Sequence, residues 1–182
     1  METFTNAREL AENRDYGRAR QASLAELDLS AIDGPITDIV EGFNALPHCF
    51  TLQCCCGHFL SVPGQGLHNL DPIPPGFSSL ATYRIAYVAL CLENSRRGQA
   101  LRRSLARLPE LCPDFIQFGS ADWFWERWKN SYVLQVGPRA HMLRDEAILG
   151  SADALQTQAA RDLLFHGIRE LLAAELRDNE AG

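Results

Sequence analysis

FTLQCCCGHF, residues 50–59, sets three consecutive cysteines and a histidine in one short apolar run. Aromatic and small apolar residues at this density, continuing to Val62 between Pro47 and Gly64, predict a buried strand over 50–62. An extended backbone places Cys54, Cys56 and His58 on one face and Cys55 on the other. With His48 and Cys49 just upstream, zinc is a chemistry to weigh. The spacing argues against it: there is no Cys-x2-Cys knuckle, and ligands on one flat strand face stand roughly 7 Å apart. A turn is needed to bring them onto one ion, and Gly57 is the residue that permits one. Buried thiols are therefore favoured over a metal site, because free cysteine is among the most buried residue types. A cysteine nucleophile would need a base to lower its pKa from about 8.5. His58, His68 and His141 offer the imidazole, but no Asp or Asn marks itself as the orienting third member.

Upstream, DLSAIDGPITDIVEGFNALP (residues 28–47) reads as a helix. Asp33 suits the cap, Pro35 the first turn and Asp38 the positive helix end, while Ile36, Ile39, Val40 and Phe43 recur at helical spacing until Pro47. Residues 7–27 are polar and predict only a weak helix. Downstream, the Gly, Pro and Asn content of 64–77 predicts a loop. A strand over 82–94 and a helix over 96–108, with Leu101, Leu105 and Leu108 on one stripe, follow. Residues 114–118, 123–128 and 132–136 read as two or three further strands. An extended 122–128 segment aligns Trp123, Trp125 and Arg127, with a helix capped by Ser120 as the alternative. Leu155, Ala159, Leu163, Leu164, Ile168, Leu171 and Leu172 give a long amphipathic helix over 151–177.

These elements predict a single α+β domain over residues 1–182, with a mixed β-sheet and flanking helices: a weak N-terminal helix (1–27), an α+β core (28–150) and the C-terminal helix (151–177). The chain has 182 residues, 46% hydrophobic and 22% charged, which supports a packed core and excludes disorder of the whole. A net charge of -6 gives no global field for holding a polyanion. The N-terminal stretch lacks the pattern of a secretory signal, and no apolar run approaches the roughly 18 residues of a membrane span. A cytoplasmic protein that does not enter a membrane is expected, with its six cysteines as thiols or ligands rather than disulfides.

Asp-x-Ser at 28–30 and ITDIVEGFNALPHCFTLQCCCGH at 36–58 resemble the tRNA wybutosine-synthesising protein 3 family. Its members use S-adenosylmethionine to methylate a nitrogen of a tricyclic guanine derivative in phenylalanine tRNA. The family's strand motif, Ser-x-Ser-Ser-Cys-x-Gly-Arg, falls on Thr51, Gln53, Cys54, Cys55, Gly57 and His58. A second similarity joins WFWERWKNSYVLQV (123–136) to the family's Trp-rich segment, with Gln135 where a His stands. The resemblance implies a similar α+β fold, catalytic roles for Asp28, Thr51 and Cys54, cofactor contacts from Cys55, Gly57 and His58, and substrate contacts from Trp123 and Gln135. It also implies S-adenosylmethionine as cofactor and a tRNA or nucleoside as partner.

The departures have physical content. His58 replaces a permanently charged planar guanidinium, and Gln53 and Cys54 replace hydroxyls, so polar recognition differs and methyl transfer is changed or lost. Asp28 doubles as an ordinary turn cap beside Ser30. Arg96, Arg97, Arg102, Arg103 and Arg107 form a local basic cluster, either a phosphate-facing surface or a solvated helix face. The alternative function is a non-enzymatic module that binds metal through the cysteine run or a partner through the C-terminal helix, whose stripe could form a homodimer.

Overall fold

β2 (Cys49–Leu60) is the strand built on the cysteine run, and it pairs along its length with β3 (Leu80–Leu92). The computed structural model describes residues 4–62 and 64–180. Its other elements are β1 (Phe4–Asn6), α1 (Tyr16–Glu26), α2 (Thr37–Ala45), α3 (Arg96–Leu105), β4 (Ile116–Ala121), α4 (Asp122–Arg127), β5 (Ser131–Val136), β6 (Glu146–Gly150) and α5 (Ser151–Glu180). One sheet runs in the order β1-β4-β5-β3-β2, and β6 pairs with the first half of β3. The α+β class read from the sequence is the class found.

A mixed sheet was expected, but every described pairing is antiparallel. The physical reason lies in β5. The α3 crossover carries the chain from β3 to β4, but β5 inserts between those two strands and runs opposite to both, so no parallel pair forms.

Side-chain alternation divides the core between the two sheet faces. Val88, Leu90 and Leu92 of β3 and Tyr132, Leu134 and Val136 of β5 pack with Ile39 and Phe43 of α2, Leu101 and Leu105 of α3 and Leu164 and Ile168 of α5. Burying such side chains stabilises the fold by about 1.5–3 kcal/mol each before entropy is counted. The intervening residues face the other way, where Ala89 and Val133 meet Ala121 and Phe124, and Cys91 and Phe50 meet Tyr16 of α1. This second face is covered only in part.

Of residues 122–128, expected to be extended, Asp122–Arg127 form α4 instead, and Trp128 caps it. Trp128 N–H bonds the Phe124 carbonyl at 2.7 Å, closing a helical turn that reverses the chain from β4 into β5. Ser120 does not cap it; that side chain is buried in β4 and accepts the Arg8 backbone N–H at 3.2 Å. The N-terminal helix is shorter than expected, with Tyr16 its only buried residue. β1 and β6 were not foreseen, because a three-residue edge strand and a five-residue strand with Glu146 and Ile148 exposed carry too little pattern.

The C-terminal helix is found, with a different stripe. Ala154, Thr157, Ala160, Leu164, Phe165, Ile168 and Leu172 are buried, whereas Leu155, Ala159 and Leu163 are exposed. Of the expected stripe, Leu164, Ile168 and Leu172 are taken up by the core. No described helix is long and apolar enough to cross a membrane.

Arg169 joins α5 to α2 by gripping Asp38 at 2.6 and 2.9 Å, and the hydrogen bond from Arg169 holds the Asp38 carboxyl below its ordinary value of 3.8. A depressed folded-state pKa means that this stabilisation is present above the unfolded value and is lost as pH falls through the lower one. Asp38→Asn should therefore lower stability at pH 7 and flatten the loss of stability below about pH 4. With the Asp38 side chain 56% exposed, screening limits the loss to under about 1 kcal/mol, measurable by urea unfolding at the two pH values.

Candidate functional site

The strand alternation inverts at Gly57. Before it, Cys56 packs into the helical core while Gln53 and Cys55 line the opposite face; after it, His58 lines that face and Phe59 enters the core. The partner strand inverts in step, since Ala86 and Tyr83 are core residues whereas Arg84, Ile85 and Tyr87 all lie on the cleft side. Gly57 makes this possible with φ 79°, a conformation that a side chain would strain. Cys55 and His58, which an unbroken strand would hold on opposite faces, thus come together.

Asp33 meets them there. Expected as a helix cap, it makes no side-chain cap bond; its Oδ2 accepts the Cys56 N–H at 2.9 Å and stands 3.4 Å from His58 Nε2. His58 is 2% exposed, and its Nδ1 lies 3.1 Å from the Asn69 carbonyl. A carbonyl only accepts, so Nδ1 carries the hydrogen. One oxygen of Asp33, Sγ of Cys55 and one ring nitrogen of His58 all lie within 4.8 Å of one another. Position 33 read as a helix signal, and only a contact across 22 to 25 residues of chain reveals its second use.

The other ligand-type side chains disperse. Cys49 is buried in the core, and His48 is buried with Nε2 3.9 Å from Glu175. All six cysteines are free. Burial first, then the Asp33 charge, pushes the Cys54 thiol up to about 11 and the Cys56 thiol up to about 12. Burial also raises the Cys55 thiol. None is a ready thiolate nucleophile at neutral pH.

The inverted face opens into a cleft of about 910 Å3, within the range of small-molecule sites. Gln53, Cys54, Cys55, His58, Trp123 and Gln135 line it, so both stretches of the family resemblance converge on one space although more than sixty residues separate them. Trp123 is 43% exposed, with the Arg127 guanidinium 3.9 Å from its ring centre. Gln135 is buried and donates from Nε2 to the Met142 carbonyl at 2.8 Å, leaving Oε1 as the acceptor it offers. The lining carries Asp33, Asp122, Glu126 and Asp145 against Arg84 and Arg144.

Three expected site residues fall outside the lining. Asp28 caps a 3-10 turn, accepting from Ser30 N–H at 2.9 Å and Ser30 Oγ at 2.6 Å, and those bonds lower its pKa. Thr51 is buried and bound to Asn44 rather than facing the cleft. Gly57 shapes the strand and is not among the lining residues; Ala86 occupies the space that a side chain at 57 would need.

Fold and cleft together define an α+β protein with α2, α3 and α5 on one face of an antiparallel sheet and, on the other, a ligand-sized opening that α1 and α4 leave uncovered. No family model matches the chain, and no curated protein is detectably similar to it. Among solved structures it is similar to the PH1069 protein from Pyrococcus horikoshii, with TM-score 0.55 and 10% identity over 88% of this chain and 95% of that one. A hypothetical protein from Aeropyrum pernix is more distant, with TM-score 0.40 and 13% identity over 78% of this chain and 98% of that one. The first likeness shows a shared fold.

Proposed function

We propose that the cleft binds S-adenosylmethionine beside a tRNA nucleoside and transfers the methyl group to a ring nitrogen, a changed rather than a lost form of the transfer that the family resemblance implies. The observation that carries this reading is the convergence of Gln53, Cys54, Cys55 and His58 with Trp123 and Gln135 on one opening. Its acidic lining suits a sulfonium cation and an ammonium group, and Arg84 or Arg144 offers a partner for the donor's carboxylate. Trp123 offers a stacking surface for a base.

In the transfer, the S–CH3 bond breaks, an N–CH3 bond forms, and the donor leaves as a neutral thioether. The protein has only to align the two partners and let the nitrogen's proton pass to a lining carboxylate or water. Asp28 lies outside the lining, so it has no part in this step. An acidic cleft cannot hold RNA phosphates; the exposed Arg96, Arg97, Arg103 and Arg107 on and after α3 are the surface for them. Free thiols at all six cysteines fit a reducing compartment, the cytoplasm.

Titration calorimetry should give saturable binding of S-adenosylmethionine at one site per chain. Trp123→Ala should weaken nucleoside binding about 5- to 150-fold, as expected from roughly 1–3 kcal/mol of base–aromatic stacking, while lowering Tm only slightly. Absence of donor binding at millimolar concentration would end the proposal.

A further inference from the structure

His58 presents an unusual pairing. Its Nδ1 hydrogen is committed to the Asn69 carbonyl at 3.1 Å, and Asn69 is itself fixed by donating from Nδ2 to the Phe59 carbonyl at 3.1 Å. The lone pair of a neutral ring therefore sits on Nε2, and what it faces at 3.4 Å is a carboxylate oxygen of Asp33, another acceptor. Two acceptors held face to face, with the ring 2% exposed, need a positive centre between them: a proton or a cation. Cys55 adds a sulfur, so that the three ligand atoms lie within 4.8 Å of one another. Zinc joins two such ligands at separations of about 3–4 Å, given bond lengths of about 2.0–2.3 Å, so modest side-chain rotation closes the set. A backbone carbonyl on the far ring nitrogen is also how ligating histidines are commonly oriented.

We propose that Asp33, Cys55 and His58 hold a zinc ion whose fourth coordination position opens on the cleft. Mixed thiolate, imidazole and carboxylate donors suit this borderline-soft ion better than magnesium or calcium, which prefer all-oxygen sets. Three protein ligands with one open position is the arrangement of reactive rather than structural zinc. All three ligands line the cleft, so water or a ligand nitrogen or oxygen can reach the ion. On binding, the Cys55 thiol proton and any proton held between His58 and Asp33 leave to solvent; three ligand–metal bonds form and no electron is transferred. The site does not depend on methyl transfer and is tested without it.

The test is cobalt substitution in the full chain after chelation. One Co2+ per chain should bind, with a thiolate-to-cobalt charge-transfer band, visible bands of four-coordinate cobalt, and full displacement by Zn2+. Added imidazole should shift the visible bands by entering the open position; unshifted bands would overturn that position. Cys55→Ser should abolish the charge-transfer band, Asp33→Asn and His58→Gln should each weaken binding at least about 10-fold, and Cys54→Ser should leave the spectrum unchanged. A folded wild-type chain, checked by circular dichroism, that shows no charge-transfer band at millimolar Co2+ would overturn the site whatever the variants do. So would a band lost in Cys54→Ser and kept in Cys55→Ser.

Discussion

Gly57→Ala is expected to destabilise the protein by about 2–5 kcal/mol and, in whatever folded fraction remains, to separate Cys55 from His58. Two costs add. A side chain at φ 79° is strained by roughly 1–2 kcal/mol. The new Cβ would also stand 2.7 Å from the Cβ of Ala86 and 3.1 Å from its backbone nitrogen, an overpacking between β2 and β3 that costs about 1–3 kcal/mol. Relief requires β2 to resume ordinary alternation, which would turn Phe59 out of the core and away from its 4.7 Å stack on Tyr83. For a chain of this length, about 2–4 °C of Tm per kcal/mol predicts a fall of roughly 5–20 °C by calorimetry. An unchanged Tm would show that the inversion does not require glycine.

Asn44→Ala should cost about 2–4 kcal/mol without involving the cleft. The register of β2 slips between Thr51 and Gln53, and such a bulge leaves strand groups without ladder partners. Side chains from outside the sheet fill the places: Asn44 Oδ1 accepts the Thr51 N–H at 2.9 Å, Asn44 Nδ2 donates to the Thr51 hydroxyl at 2.8 Å, and Ser23 Oγ donates to the Thr51 carbonyl at 3.1 Å. Alanine at 44 leaves a buried N–H unpaired, which is costlier than losing a bond that water can replace. Urea unfolding should show the lower midpoint with an unchanged slope. Affinity for S-adenosylmethionine should stay within about twofold in the folded protein. Loss of donor binding with stability intact would instead return Thr51 to the catalytic role that the family resemblance implied.

The parts of the fold legible in advance were those governed by local rules. The apolar run at 50–62 was read as a strand and β2 is one; helical spacing of Ile39, Val40 and Phe43 gave α2. The tryptophan segment misled because Trp123, Phe124 and Trp125 suit an extended chain, whereas the need to turn from β4 into β5 made it a short helix. The site was legible in pieces. Its cleft-lining cysteines, His58, Trp123 and Gln135 could be named, yet Asp33 was assigned to the helix that it precedes.

What the sequence determined by itself was the α+β class, the main strands and helices, and the presence of one residue, Gly57, able to break the alternation of β2. Periodicity and backbone sterics act over a few residues and can be read from a few residues. Only the tertiary structure decided that Gly57 uses its freedom, that Cys55 and His58 therefore share a face, and that Asp33 arrives from the preceding turn. Those outcomes depend on the pairing of β2 with β3 and on the placing of α2 across the sheet. No local pattern encodes a distance between groups that meet only after the chain has packed.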